Sequence, residues 1–103
     1  MDMKHLDSLV ESHKREIFAI VVSNQLDLDA EHDVIKFARL SLNLVADEML
    51  SEDEALAFVQ MACICVELMK MELEGLTKQL PDGRWISTEK GNKMAERFSP
   101  ENN

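Results

Sequence analysis

Apolar residues recur along this chain at steps of three and four, and the recurrence marks out three long helices. In the first, Leu6, Leu9, Val10, His13, Ile17, Ile20 and Val21 share one face and predict a helix over Met3–Ser23. Its second half, Ile17–Val22, is rich in β-branched residues and is also compatible with a strand. Ser23-Asn24-Gln25 reads as the exit. Asp27 or Asp29 is placed to cap a second helix that runs to about Met49. Ile35, Ala38, Leu42, Val45 and Met49 set its register, and Val34, Phe37 and Leu44 widen the stripe.

The third element, Ser51–Gly75, carries its own start and stop signals. Ser51 followed three residues later by Glu54 is a capping box, and Glu52, Asp53 and Glu54 suit the positive end of a helix. Gly75 is a natural left-handed terminator. Between them Ala55, Val59, Ala62, Val66, Met69, Leu73 and Leu76 form one seam, and Phe58, Met61, Cys65 and Leu68 form a second beside it. Gln60, Glu67, Lys70 and Glu74 are left as the solvent strip. A rod of roughly 36 Å that is apolar over most of its circumference asks for more cover than two shorter helices provide, and a second copy is the economical source. The interface expected for such a homodimer is Phe58, Met61, Cys65, Leu68 and Met71.

Pro81-Asp82-Gly83 is turn chemistry and predicts a minimal β-hairpin near 77–87. Ser87 or Thr88 then caps a last helix over Glu89–Phe98, and Ser99-Pro100 stops it. The fold class is therefore all-α: a small helical bundle of three main helices plus a short C-terminal helix. A single domain is expected over 1–98, with a flexible tail over 99–103.

Composition narrows the function without naming it. The 103 residues carry 20 acids and 11 bases, for a formal charge of −9. The whole excess lies in residues 1–69, with fourteen acids against five bases, while residues 70–103 balance six against six. Such a field repels phosphate backbones and anionic membranes and favours a partner with a basic surface. The longest apolar runs, Ile17–Val22 and Met61–Val66, have six residues each and are far short of a membrane span. Met1-Asp2 opens acidic, unlike a secretory leader, and Cys63 and Cys65 point apart on a helix, so a cytoplasmic protein with two reduced thiols is expected.

Candidate chemistry is sparse. Asp27, Asp29, Glu31 and Asp33 alternate like a calcium loop, but the sixth and twelfth positions from Asp27 are His32 and Ala38 where Gly and Glu are needed. His13, inside the apolar stripe, lacks a convergent partner in the sequence and reads as a core or interface histidine; His5 and His32 read as surface residues. No phosphate loop, nucleophile elbow, paired metal-binding His motif or CxxC is present. No catalytic residue, cofactor or metal is expected. Met61, Met69 and Met71 supply adaptable apolar surface.

One stretch carries a resemblance. Leu73-Glu74-Gly75-Leu76, then Pro81-Asp82-Gly83-Arg84, then Ser87-Thr88-Glu89-Lys90-Gly91 resembles the wing of winged-helix transcriptional regulators of the MarR and PadR kind, over about residues 70–98. The resemblance implies a helix ending in Gly-Leu, a hairpin, and a Thr-x-Lys-Gly step into the next helix. It also implies that Lys78 and Arg84 lie in the wing and touch phosphates. The preceding helix departs from a recognition helix, which reads base edges with polar and basic side chains; here it runs Cys-Ile-Cys-Val-Glu-Leu-Met-Lys-Met-Glu. The expected function is a small acidic protein–protein interaction module, regulatory, accessory or inhibitory, without catalysis. The alternative is a winged-helix-like transcriptional regulator binding DNA.

Overall fold

The computed structural model describes residues 3–98. In chain order they form α1 (Met3–Ser23), α2 (Glu31–Asn43), α3 (Glu52–Leu73), β1 (Thr77–Gln79), β2 (Trp85–Ser87) and α4 (Glu89–Phe98). The fold is all-α with one small antiparallel hairpin, and Ile17–Val22 is helical rather than extended. The tail expected over 99–103 lies outside the described residues. The chain divides into two compact units, Met1–Val66 and Glu67–Asn103, with the boundary inside the continuous α3.

In the first unit α1 ends where expected. Gln25 takes φ of 52°, its N–H donates to the Val22 carbonyl at 3.2 Å, and the Leu26 N–H donates to the Val21 carbonyl at 3.0 Å. This pair of bonds is a Schellman termination, completed by burial of both Val21 and Leu26. His5 Nε2 lies 3.4 Å from Glu48 Oε2, so the first turns of α1 sit beside the exit of α2, as an antiparallel helix pair requires. The core draws on all three helices: Ile17 from α1, Phe37 from α2, and Phe58 and Val66 from α3 are fully buried.

The second helix corrects the sequence expectation in three respects. It stops at Asn43 rather than near Met49; the following amides of Leu44 and Val45 make tighter bonds to Ser41 and Leu42. Asp47 and Glu48 disfavour continuation because carboxylates oppose the negative end of a helix. Its cap is Ala30, without a side-chain bond, and neither Asp27 nor Asp29 serves. Instead Asp27 Oδ1 accepts from the Asp29 N–H at 2.9 Å, and Asp33 Oδ2 accepts from the Asp27 N–H at 2.7 Å, so these carboxylates hold the loop. Finally, the buried line is Phe37–Ser41–Val45: Val45 of the expected register and Phe37 of its flank are buried, but the register's ends are not, with Ile35 49% and Met49 95% exposed. Ser41 tolerates full burial because its hydroxyl donates to the Ala38 carbonyl at 3.3 Å.

The capping box at the start of α3 is formed. The Glu54 N–H donates to Ser51 Oγ at 3.2 Å, and the Ser51 N–H donates to Glu54 Oε1 at 3.1 Å.

In the second unit the end of α3 is again a Schellman motif, with Gly75 at φ of 79° and the Leu76 N–H donating to the Met71 carbonyl at 2.9 Å. Thr77 pairs with Ser87, Lys78 with Ile86, and Gln79 with Trp85. The loop closes through the Leu80 N–H to Arg84 carbonyl bond (2.7 Å), and Gly83 takes φ of 91°. A turn followed by a left-handed glycine is the usual three-residue hairpin connection. Thr88 caps α4 as expected, accepting from the Gly91 N–H at 3.1 Å, and its hydroxyl donates to the Gly75 carbonyl at 2.6 Å. Lys90 Nζ reaches the Glu74 carbonyl at 2.8 Å. The start of α4 is thus tied to the end of α3 by polar bonds, and Leu76 and Thr77 are the buried residues of the unit among those described.

Gly91 permits this approach: a Cβ there would sit 2.2 Å from the Leu76 carbonyl oxygen, a backbone atom that cannot swing aside. Gly to Ala inside a helix ordinarily stabilises by about 1 kcal/mol. Gly91→Ala is expected to do the reverse, costing about 1–3 kcal/mol by overpacking. Urea unfolding followed by Trp85 fluorescence measures it, and an unchanged or raised midpoint would show that α4 does not rest against Leu76.

Candidate interaction surface

The five expected interface residues separate in the structure. Phe58 and Cys65 are buried in the core of the first unit and are unavailable to a partner, which corrects that part of the expectation. Met61 and Leu68 are half-buried, and Met71 alone of the five is exposed. The physical reason lies in the register: Phe58, Val59, Ala62, Cys65 and Val66 are buried together, so both seams of α3 face inward along this length.

The exposed apolar residues of α3 in the first unit are Leu56, at 59%, and Ile64, at 61%. With Glu52 and Gln60, both exposed, they follow steps of four and form one line along the helix. Two large aliphatic side chains thus stand on the strip where the sequence suggested solvent, flanked by the exposed acids Glu52 and Asp53. The signal was present in the spacing, since Leu56 and Ile64 lie four residues on either side of Gln60.

The charge of the first unit is one-sided. Met1–Val66 holds thirteen Asp and Glu against five Lys and Arg. Glu54, in the first turn of α3, has its carboxyl held below the ordinary 4.5 first by the Ser51 N–H, then by the Ser51 hydroxyl, with a smaller pull from His5. Cys65 is displaced the other way: burial pushes its thiol up, and Glu11 adds to the effect. A raised thiol pKa removes nucleophilic character, and no disulfide joins it to Cys63. His13 is half-buried on α1. Among the described residues no cluster of three His, Cys, Asp or Glu could hold a metal ion.

In the second unit the cations are largely engaged. Arg84 Nε lies 2.7 Å from Asp82 Oδ2, Lys70 lies 3.6 Å from Glu67, and Lys93 lies 3.3 Å from Glu89. Lys78 is exposed on β1, opposite Ile86 on the outer face of the hairpin. On α4, Glu89, Lys90, Lys93, Met94 and Arg97 line a shallow open hollow of about 410 Å³. No family profile, curated protein or solved structure matches this chain. Among the described residues no helix is long and apolar enough to cross a membrane.

The depressed pKa of Glu54 fixes the sign of one pH effect. Its carboxylate is better stabilised in the folded chain than in the unfolded one, so the contribution is full above the ordinary carboxylate range. It is lost as pH falls through the folded value. The stability advantage of the wild type over Glu54→Gln should therefore shrink between about pH 5 and about pH 3. Urea titrations across that range read it directly, and a difference independent of pH would mean that the ionised capping box contributes nothing.

Proposed function

We propose that this protein is a small non-catalytic interaction module of the regulatory, accessory or inhibitory kind, that it self-associates, and that the Leu56–Ile64 strip of α3 is its contact surface. The observation that supports this reading is the exposure of two large aliphatic residues, about three-fifths each, in the middle of a well-formed helix. Isolated exposed apolar residues are ordinary on any surface; two in line on a helix whose opposite side is fully buried form a stripe that suits a partner helix. The acid excess of the first unit favours a partner surface carrying Lys or Arg. A cytoplasmic setting, with Cys63 and Cys65 reduced, belongs to the same reading.

Magnitude sets a limit on what the strip does by itself. Covering the exposed parts of Leu56 and Ile64 yields about 2–4 kcal/mol, below the roughly 4–15 kcal/mol that association costs in lost freedom. The contact therefore needs further apolar area or matched charge. Sedimentation of the wild type at tens of micromolar should give a dimer or larger species, roughly the micromolar regime for a modest interface. Leu56→Lys with Ile64→Lys should weaken association at least about tenfold, a difference of about 1.4 kcal/mol, with helical circular dichroism unchanged. A wild type that sediments as a monomer at these concentrations would sink the self-association reading.

A second reading has a specific observation behind it. The succession of α3, Gly75, a two-stranded hairpin and a Thr88-capped α4 has the layout that the winged-helix resemblance implies, with Lys78 exposed on the hairpin. In that reading the protein is a DNA-binding transcriptional regulator. The acidic, apolar face of α3 and the pairing of Arg84 with Asp82 weigh against it, because binding to DNA depends on cations available to phosphates. A gel shift with duplex DNA at about 50 mM salt separates the two; no retardation at that salt would eliminate the regulator.

A further inference from the structure

The strip on α3 needs an occupant that is apolar and basic at once, and the chain itself carries one. Charge is distributed unevenly among the four helices. Lys/Arg and Asp/Glu are equal in number in α1 and in α2, whereas α3 holds five acids against one base, and α4 holds three bases against two acids. The most acidic helix and the net basic one therefore belong to the same sequence. Both expose apolar surface: Leu56 and Ile64 on α3, and Met94, at 40%, on α4.

The α4 surface carries groups of this chemistry. Met94 lies beside Lys90, Lys93 and Arg97 around the open hollow. Lys93 and Arg97 are exposed, and the ion pair of Lys93 with Glu89 is a solvent-facing one whose partner is 85% exposed and easily exchanged. Lys90 is occupied at the Glu74 carbonyl and belongs to the fold rather than to the contact. On the other side, Glu52 and Asp53 are exposed at the first turn of α3, one turn before Leu56. Together the two surfaces pair an aliphatic line bordered by carboxylates with a thioether bordered by cations.

Resting on the reading that the chain self-associates, we propose that the occupant of the α3 strip is α4 of a second copy. Lys93 and Arg97 face Glu52 and Asp53, and Met94 packs against Leu56 and Ile64. The two halves are different surfaces of the chain, so two copies close an isologous pair by exchanging them, or copies add head to tail through a heterologous contact. It explains why a strongly acidic protein can meet itself, since the charges that touch have opposite sign.

A charge swap tests this with the full chain. Sedimentation equilibrium is run on the wild type, on Lys93→Glu with Arg97→Glu, on Glu52→Lys with Asp53→Lys, and on an equimolar mixture of the two double variants. The four positions are exposed, and circular dichroism checks that each variant keeps its helices. The wild type should associate less tightly as salt rises; each double variant alone should associate at least about tenfold more weakly. The mixture should regain association, because the acidic α4 of one variant meets the basic strip of the other. Both variants keep a net negative charge, so bulk attraction does not produce that recovery. An α4 variant that associates like the wild type, or a folded mixture that stays monomeric, overturns the α4 contact while leaving self-association standing. A monomeric wild type takes down the self-association reading itself.

Discussion

The buried face of α3 is the constraint on which the first unit depends. Phe58, Val59, Ala62, Cys65 and Val66 occupy so much of the helix circumference that α1 and α2 must both contribute to cover it. Ile17 and Phe37 are the largest residues they supply, and both are fully buried. A buried Phe or Ile contributes about 1.5–3 kcal/mol, so this cluster outweighs any cap or surface ion pair in the unit. Cover that is concentrated here leaves the line through Glu52, Leu56, Gln60 and Ile64 open. The exposed strip is thus the geometric remainder of the way the core is packed.

The second unit coheres by another means. Among its described residues only Leu76 and Thr77 are buried, too little apolar area to act as a core. Backbone and capping bonds carry the load instead: Thr77 Oγ1 to the Leu68 carbonyl at 3.0 Å, Thr88 to Gly75, and Lys90 to Glu74. Each contributes on the order of 1 kcal/mol, and the two bonds from the start of α4 are made where Gly91 lets the backbone at Leu76 come close. A unit held this way spends few side chains on its interior. Met94, Lys93 and Arg97 remain outward as a result.

Much of this was legible in the sequence where one local rule decided the outcome. The bounds of α1, the capping box at Ser51, the terminator at Gly75, the turn at Pro81–Gly83 and the Thr88 cap each rest on a short-range signal, and each is in place. The misreadings share a different cause. Ser41 sits at the centre of the buried line of α2, and a polar residue there shifted the apparent phase towards Ile35 and Met49. In α3 the two adjacent seams were assigned to different neighbours, the core and a partner, although the chain buries both between Phe58 and Val66. Which of two apolar faces finds cover is a tertiary fact; periodicity records that both want it. Ile64 was legible as an extension of the apolar arc, whereas Leu56 was not, because counting seams gives no weight to an apolar residue on the polar line.

Net charge and local charge act over different distances, and the difference bears on how such a protein recognises anything. At physiological salt, charges more than about 8 Å apart are largely screened, so the −9 total governs solubility and encounter rate more than the stability of a contact. Charges within about 4 Å still interact appreciably. In the proposed contact, a surface where Glu52 and Asp53 border Leu56 would discriminate by a few neighbouring cations, whatever the sign of the whole partner. A phosphate backbone needs several cations free at once; in the second unit Lys90 holds a carbonyl, Lys70 and Arg84 each lie within 4 Å of a carboxylate, and Lys93 keeps only an exchangeable surface pair. In the proposed contact, a helix docking on the strip adds a few matched charges to the apolar area of Leu56 and Ile64, which falls short by itself.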